Sequence, residues 1–149
     1  MNILSDIVNN PWIQVAVISW AIAQSIKFIT ILIKYKRFDF ERIFGAGGMP
    51  SAHSALVTSM ATGIGLTEGF NSPIFAACLA FALITMYDAA GVRRAAGKQA
   101  RVLNQIVAAM DDNDQVKVDK KLKELLGHTP IEVFCGALLG LCIAIIRFL

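Results

Sequence analysis

The chain carries two histidines, and their surroundings are alike. His53 lies in Gly47-Gly48-Met49-Pro50-Ser51-Ala52-His53-Ser54, and His128 in Gly127-His128-Thr129-Pro130-Ile131-Glu132. Each has glycine upstream, a proline where a helix would make its first turn, and a long apolar run downstream. A helix start presents unpaired N–H groups and a partial positive charge, which suits an anion. Glycine lets the backbone approach a ligand closely. An imidazole with an ordinary pKa near 6.5 can be neutral and nucleophilic, or can move a proton, at neutral pH. Two such starts on one face, with Lys and Arg around them, suit a phosphate. Thr129-Pro130-Ile131-Glu132 is also a capping box with proline at the first position, and capping by itself accounts for Thr129, Pro130 and Glu132.

The cations fit the same picture. Lys27 and Lys34 are seven residues apart and share a helical face. Lys27 lies inside an apolar segment, about 10 Å below its end at 1.5 Å per residue. A lysine so placed snorkels to the interface or faces a cavity or partner. Asp88 closes another apolar stretch, and Arg93, Arg94 and Lys98 follow it. Asp88 can pair with an arginine and orient it. Asp111, Asp112 and Asp114 tempt a metal reading, but acids in a polar loop are usually just solvated. No metal and no cofactor is expected.

These residues must be positioned by a membrane scaffold. Of 149 residues, 56% are hydrophobic and 17% charged, with mean hydropathy +0.59. Soluble domains run nearer 45–50% apolar and about 25% charged. Four stretches approach the roughly 20 apolar residues of a membrane span: Trp12 to Ile33, about Ala52 to Phe70, Pro73 to about Ala90, and Pro130 to Leu149. The second is the weakest. It is rich in Ser, Thr and Gly, so it needs shielding by its neighbours, and Ser59, Gly63 and Gly65 suit close helix packing. Asn71-Ser72-Pro73 reads as a tight turn. A polar stretch of about 91–129 separates the third and fourth spans. Its first part, Arg93 to Met110, has helical apolar spacing at Val102, Leu103, Ile106 and Val107. Asp111-Asp112-Asn113-Asp114 breaks it, and a second short helix is expected over Asp119 to Leu126. The reading is one all-α domain over 1–149: an integral membrane bundle of four transmembrane helices with a polar helical insertion between the third and fourth.

No Lys or Arg precedes Lys27, so the first apolar segment reads as a retained helix rather than a secretory signal. Counting spans puts every Lys and Arg except Lys27 and Arg147 on one side. By the positive-inside rule that side is cytoplasmic, with both termini outside. The expected location is the cell (inner, cytoplasmic) membrane, with the site on its cytoplasmic face. Cys78, Cys135 and Cys142 lie within apolar runs and read as small buried hydrophobes, not a disulfide framework. A net charge of +3, with no basic run interleaved with aromatics, gives no sign of a nucleic-acid partner.

Pro50-Ser51-Ala52-His53 resembles the P-S-G-H motif of the type-2 phosphatidic acid phosphatase and vanadium haloperoxidase superfamily. Gly47 to Val57, Tyr87 to Asn104 and Leu125 to Gly140 look like its small divergent bacterial branch. The resemblance covers most of the chain from Lys27 onward, and the four helices would correspond to the last four of the six-helix enzymes. In those enzymes the histidine of S-R-x5-H-x3-D attacks phosphate, and the P-S-G-H histidine protonates the leaving group. The resemblance therefore implies His128 as nucleophile, His53 as general acid and Glu132 in place of the orienting Asp. Lys27-x6-Lys34 resembles the K-x6-R-P phosphate-binding motif. It implies Lys27, Lys34 and Ser51 as phosphate ligands, with Arg93, Arg94 and Lys98 beside them and Asp88, Gly48 and Ser54 in support. Four positions depart from the pattern. Lys34 stands for Arg, Tyr35 for Pro and Ala52 for Gly, and Leu122 stands six residues before His128 where an arginine belongs.

Three functions are in play. One is an enzyme hydrolysing a phosphoric monoester or diphosphate of a membrane lipid through a phosphohistidine. Its substrate would be phosphatidic acid, phosphatidylglycerol phosphate or a prenyl diphosphate. The second is a non-catalytic binder or carrier of lipid phosphates, and the third a structural membrane subunit. Membrane lipids surround all three, and a thin four-helix shell around a polar site leads to the expectation of a homodimer.

Overall fold

In a computed structural model of the chain, residues 2–35, 48–111, 122 and 127–149 are described. Every regular element among them is helical. A short helix α1 (Ile3–Val8) precedes α2 (Pro11–Tyr35). The side chain of Asn10 starts α2 by accepting from the N–H groups of Trp12 and Ile13 at 3.0 and 3.1 Å, two of the donors a helix start leaves open. Proline at the first position needs no such partner. The remaining elements are α3 (Ala52–Glu68), α4 (Pro73–Tyr87), a π-helical turn (Asp88–Val92), α5 (Arg93–Asp111) and α6 (Pro130–Phe148).

Helix α3 occupies the centre and packs against α2, α4 and α6. Ten of its 17 residues are buried, Ser54, Ser59 and Thr62 among them. Its weak hydropathy is thus explained by position: it touches protein where a lipid-facing helix would touch hydrocarbon. Small side chains let α6 come close. A methyl group on Gly136 would collide with the Ser51 carbonyl oxygen, and one on Gly140 with that of Ala55. The facing residues are four apart on each helix, so one turn of α3 lies on one turn of α6. At the opposite end the Trp12 indole donates to Thr67 Oγ1 at 2.9 Å, tying α2 to α3. The turn into α4 is closed at Gly69 (φ +91°), whose carbonyl accepts the Ser72 N–H at 3.1 Å.

The outer helices show the opposite pattern. On α4 only Ala82 is buried, while Ile74, Leu79, Phe81, Leu83 and Ile84 are exposed. A surface this apolar is suited to lipid. Three helical stretches are long and apolar enough to cross a membrane: Pro11–Ile33, Pro73–Ala109 and Pro130–Phe148. Helix α3, with 17 residues, falls short of that measure.

The expected end of the third span near Ala90 is not a break. The helix continues through the π turn into α5, because nothing between Tyr87 and Arg93 stops it; Gly91 is absorbed within the wider turn. The helix expected from Arg93 is present as α5. Beyond it, the stretch Asp112-Asn113-Asp114 and the short helix expected over Asp119 to Leu126 lie outside the described residues, Leu122 excepted. Leu122 pairs its N–H and carbonyl with the Asn104 side chain, both at 2.9 Å. Leu122 therefore lies beside α5.

Candidate functional site

Three helix ends meet on one side of the bundle: the C-terminal part of α2 and the N-termini of α3 and α6. The two N-termini are bonded to each other, since the Ser51 N–H donates to the Glu132 carbonyl at 3.0 Å. Ser51 caps α3, its hydroxyl accepting from Ser54 N–H at 3.4 Å and meeting Ser54 Oγ at 3.0 Å. Both serines are fully buried. Their small polar side chains start the helix and still fit under α6.

His128 immediately precedes α6 and is only 5% exposed. Its backbone N–H donates to the Ala89 carbonyl in the π turn at 3.1 Å. A methyl group on Gly127 would run into the backbone of Arg94, so the glycine allows the loop to lie against the α4–α5 helix. The His128 ring faces α6, with Nδ1 3.3 Å from Glu132 Oε2. That same oxygen accepts the Thr129 N–H at 2.9 Å, while Thr129 Oγ1 accepts the Glu132 N–H at 3.3 Å. The cap and the histidine contact, two separate readings of Glu132 in the sequence, are thus held by one carboxylate. Burial pushes the His128 imidazole below its ordinary 6.5, and Lys27 and His53 push the same way, while the hydrogen bond and charge of Glu132 pull against them. The neutral ring is favoured, with Nε2 as its outward nitrogen when Nδ1 carries the proton toward Glu132.

His53, at the second position of α3, is exposed. The charges of Arg93 and Lys27 act on it, and it in turn acts on His128. Lys27 is 4% exposed and interacts with Glu132 electrostatically. Its stem crosses Gly48, where a methyl group would come within 2.8 Å of Lys27 Cε; Gly48 also has φ +96°. Position 48 therefore favours glycine on two counts. Arg93 Nε meets Asp88 Oδ2 at 2.7 Å, a half-exposed pair across the π turn.

His128, Glu132, His53 and Lys27 are thus brought together with Ser51, Ser54 and Gly48, and Arg93 stands beside them. Arg94 contributes backbone next to Gly127, with its side chain exposed. Lys98 is exposed on α5, and among the described residues no hydrogen bond or ion pair ties it to the site. The Lys34 side chain lies outside the described residues. Sequence reasoning missed two supports. One is the Ala89 carbonyl, which no local pattern marks. The other is Gly136 with Gly140, a G-x-x-x-G spacing that could have been found.

The fold and site together define a helical membrane protein with a histidine–carboxylate pair and a buried lysine at two joined helix starts. The profile of the Divergent PAP2 family matches residues 8–143, and the chain belongs to that family. It is also similar to the uncharacterized membrane protein YuiD of Bacillus subtilis (strain 168), at 45% identity over 83% of this chain and 85% of the relative. No solved structure matches the chain.

Proposed function

We propose that this protein is a metal-independent lipid-phosphate phosphatase acting through a phosphohistidine on His128. One observation carries the reading. A buried histidine, held by a carboxylate on Nδ1, lies where a second histidine and a lysine act on it electrostatically. The fields of two helix starts, Lys27 and Arg93 suit the phosphoryl oxygens. In the first step Nε2 of neutral His128 forms a bond to phosphorus and the bond to the lipid oxygen breaks. His53, exposed and close, supplies the proton to that oxygen. Glu132 holds the tautomer and offsets the positive charge that develops on the ring. In the second step His53 takes a proton from water, whose oxygen attacks phosphorus and releases phosphate and neutral His128.

Ser51 and Lys34 complete the proposed phosphate ligands, with Lys98 and Arg94 at the rim. Arg93 is the best replacement for the arginine lacking at Leu122, since its charge reaches His53 and Asp88 orients it. Leu122 itself is half-exposed beside Asn104. That departure favours a second reading, a lipid-phosphate binder without turnover. In either case we read α3 as a fourth crossing shielded by its neighbours. The charge count then sets both termini outside the cytoplasmic membrane and the site on its inner face, and a homodimer would thicken the thin shell.

The test is phosphate release by detergent-purified protein against phosphatidic acid, phosphatidylglycerol phosphate and prenyl diphosphates, with His128→Ala in parallel. Release that vanishes in the variant supports the enzyme. Folded protein that releases nothing from any of them moves the assignment to the binder.

A further inference from the structure

Helix α5 leaves the bundle: among the described elements it packs chiefly against the π turn at its root. At about 100° per residue its side chains fall into three strips. Gly97, Ala100, Asn104 and Val107 form the strip that the rest of the chain covers, with Leu122 bonded to Asn104. Arg94, Lys98 and Arg101 form a second strip, all exposed. The third is apolar and bare, with Val102, Leu103 and Ile106 each about half exposed. A bare apolar strip marks a contact, and the charges beside it say with what. Before Asp111 the helix carries Arg93, Arg94, Lys98 and Arg101 and no acid. A second copy of α5 would bring the same cations and nothing to answer them, whereas anionic headgroups supply the missing charge. An apolar strip flanked by cations is also the pattern of a helix lying in a membrane surface. Standing upright, α5 would hold Val102 about 14 Å past Arg93, beyond a headgroup layer roughly 5–8 Å deep. The π turn allows the other course, being one of the few features at which a helix bends sharply.

We propose that α5 reclines in the anionic headgroup layer on the side of the His128 site. Val102, Leu103 and Ile106 then face the acyl chains, and Arg94, Lys98 and Arg101 meet lipid phosphates. The partner is the surface of the bilayer that α4 crosses. The basic stretch thereby gains a binding role in addition to its place in the charge count. The inference goes beyond the proposed reaction and needs neither turnover nor a phosphate at His128.

The test uses the full chain in vesicles of phosphatidylcholine, with and without phosphatidylglycerol. A photoreactive benzoylphenylalanine replaces Leu103, on the apolar strip, or Gln105, exposed on the cationic side. After irradiation, lipid adducts located by mass spectrometry are expected from position 103, several-fold above those from position 105. They are expected to rise several-fold with phosphatidylglycerol. Lys98→Gln combined with Arg101→Gln, both at exposed positions, is expected to remove that rise. Cross-links from position 103 to a second copy, no adduct there, or equal yields at the two positions would each overturn the proposal. So would yields indifferent to phosphatidylglycerol, or a rise that survives the double variant. Phosphate release is read separately, and its presence or absence moves none of these outcomes.

Discussion

The starts of α3 and α6 are built from the same kinds of residues and end up in different states. Both have glycine upstream, a proline, a hydroxyl cap and a histidine. At α6 the histidine precedes the cap. Its backbone is pinned to Ala89 and its ring to Glu132, and it is buried. At α3 the histidine follows the cap, which turns it outward, and among the described residues its ring makes no hydrogen bond. A shift of three positions relative to the cap, from one before Thr129 to two after Ser51, separates a held ring from an exposed one. A nucleophile gains from being held, since orientation is settled before reaction. A proton donor gains from mobility and access to water. The contrast thus divides the labour between two otherwise equivalent side chains.

The largest expected effect is at the held ring. His128→Ala is expected to lower phosphate release at least about 10³-fold, since the covalent step is lost; retention of full turnover in folded protein would remove the nucleophile assignment. His53→Ala follows, with a loss of about 10²–10⁴-fold on lipid substrates, the range of general acid–base catalysis. In the first step, read as the burst of leaving-group release, the loss should shrink sharply on an aryl phosphate, whose leaving oxygen needs no proton. Equal losses of that burst on both substrates would mean His53 is not the acid. Glu132→Gln sharpens the contrast from the other side. Glutamine also serves in a capping box, so thermal stability should barely move while turnover falls about 10-fold. A large drop in melting temperature with turnover intact would make Glu132 a cap alone.

The smallest effect concerns pH. The folded state holds the His128 pKa below its unfolded value, so the fold binds that proton less readily than the unfolded chain. Stability from this group is full above about pH 6.5 and declines as pH falls through the lowered folded value. Activity that needs the neutral ring falls in the same direction. Wild-type protein should therefore lose melting temperature below pH 6.5, and His128→Gln should lose less; identical pH profiles would show that folding leaves the His128 pKa unshifted.

Much of this was legible from residue type and spacing. The helix starts at Ala52, Pro73 and Pro130 follow from Ser or Thr caps and nearby prolines. Lys27 announced itself as a cation well inside an apolar run, whereas Arg147 stands near the end of one. The pairing of Asp88 with an arginine was legible too, though which arginine depended on helical phase through the π turn. That turn was not foreseen, because Ala89-Ala90-Gly91 is compatible with an ordinary helix and only the fit against Gly127 and His128 marks it. Nor was α1 expected, since Ile3–Val8 is too short to show a period. The α3–α6 approach was half seen: small residues were noted on α3, while their counterparts Gly136 and Gly140 lay in a run whose hydropathy drew attention first.

The π turn gives the molecule a mechanical property. Helix α5 extends 19 residues beyond it, about 28 Å at 1.5 Å per residue, as an unbroken continuation of a membrane-crossing rod. The fulcrum of that rod is Ala89, whose carbonyl holds the His128 backbone. The root of the arm and the anchor of the His128 backbone are thus one and the same peptide.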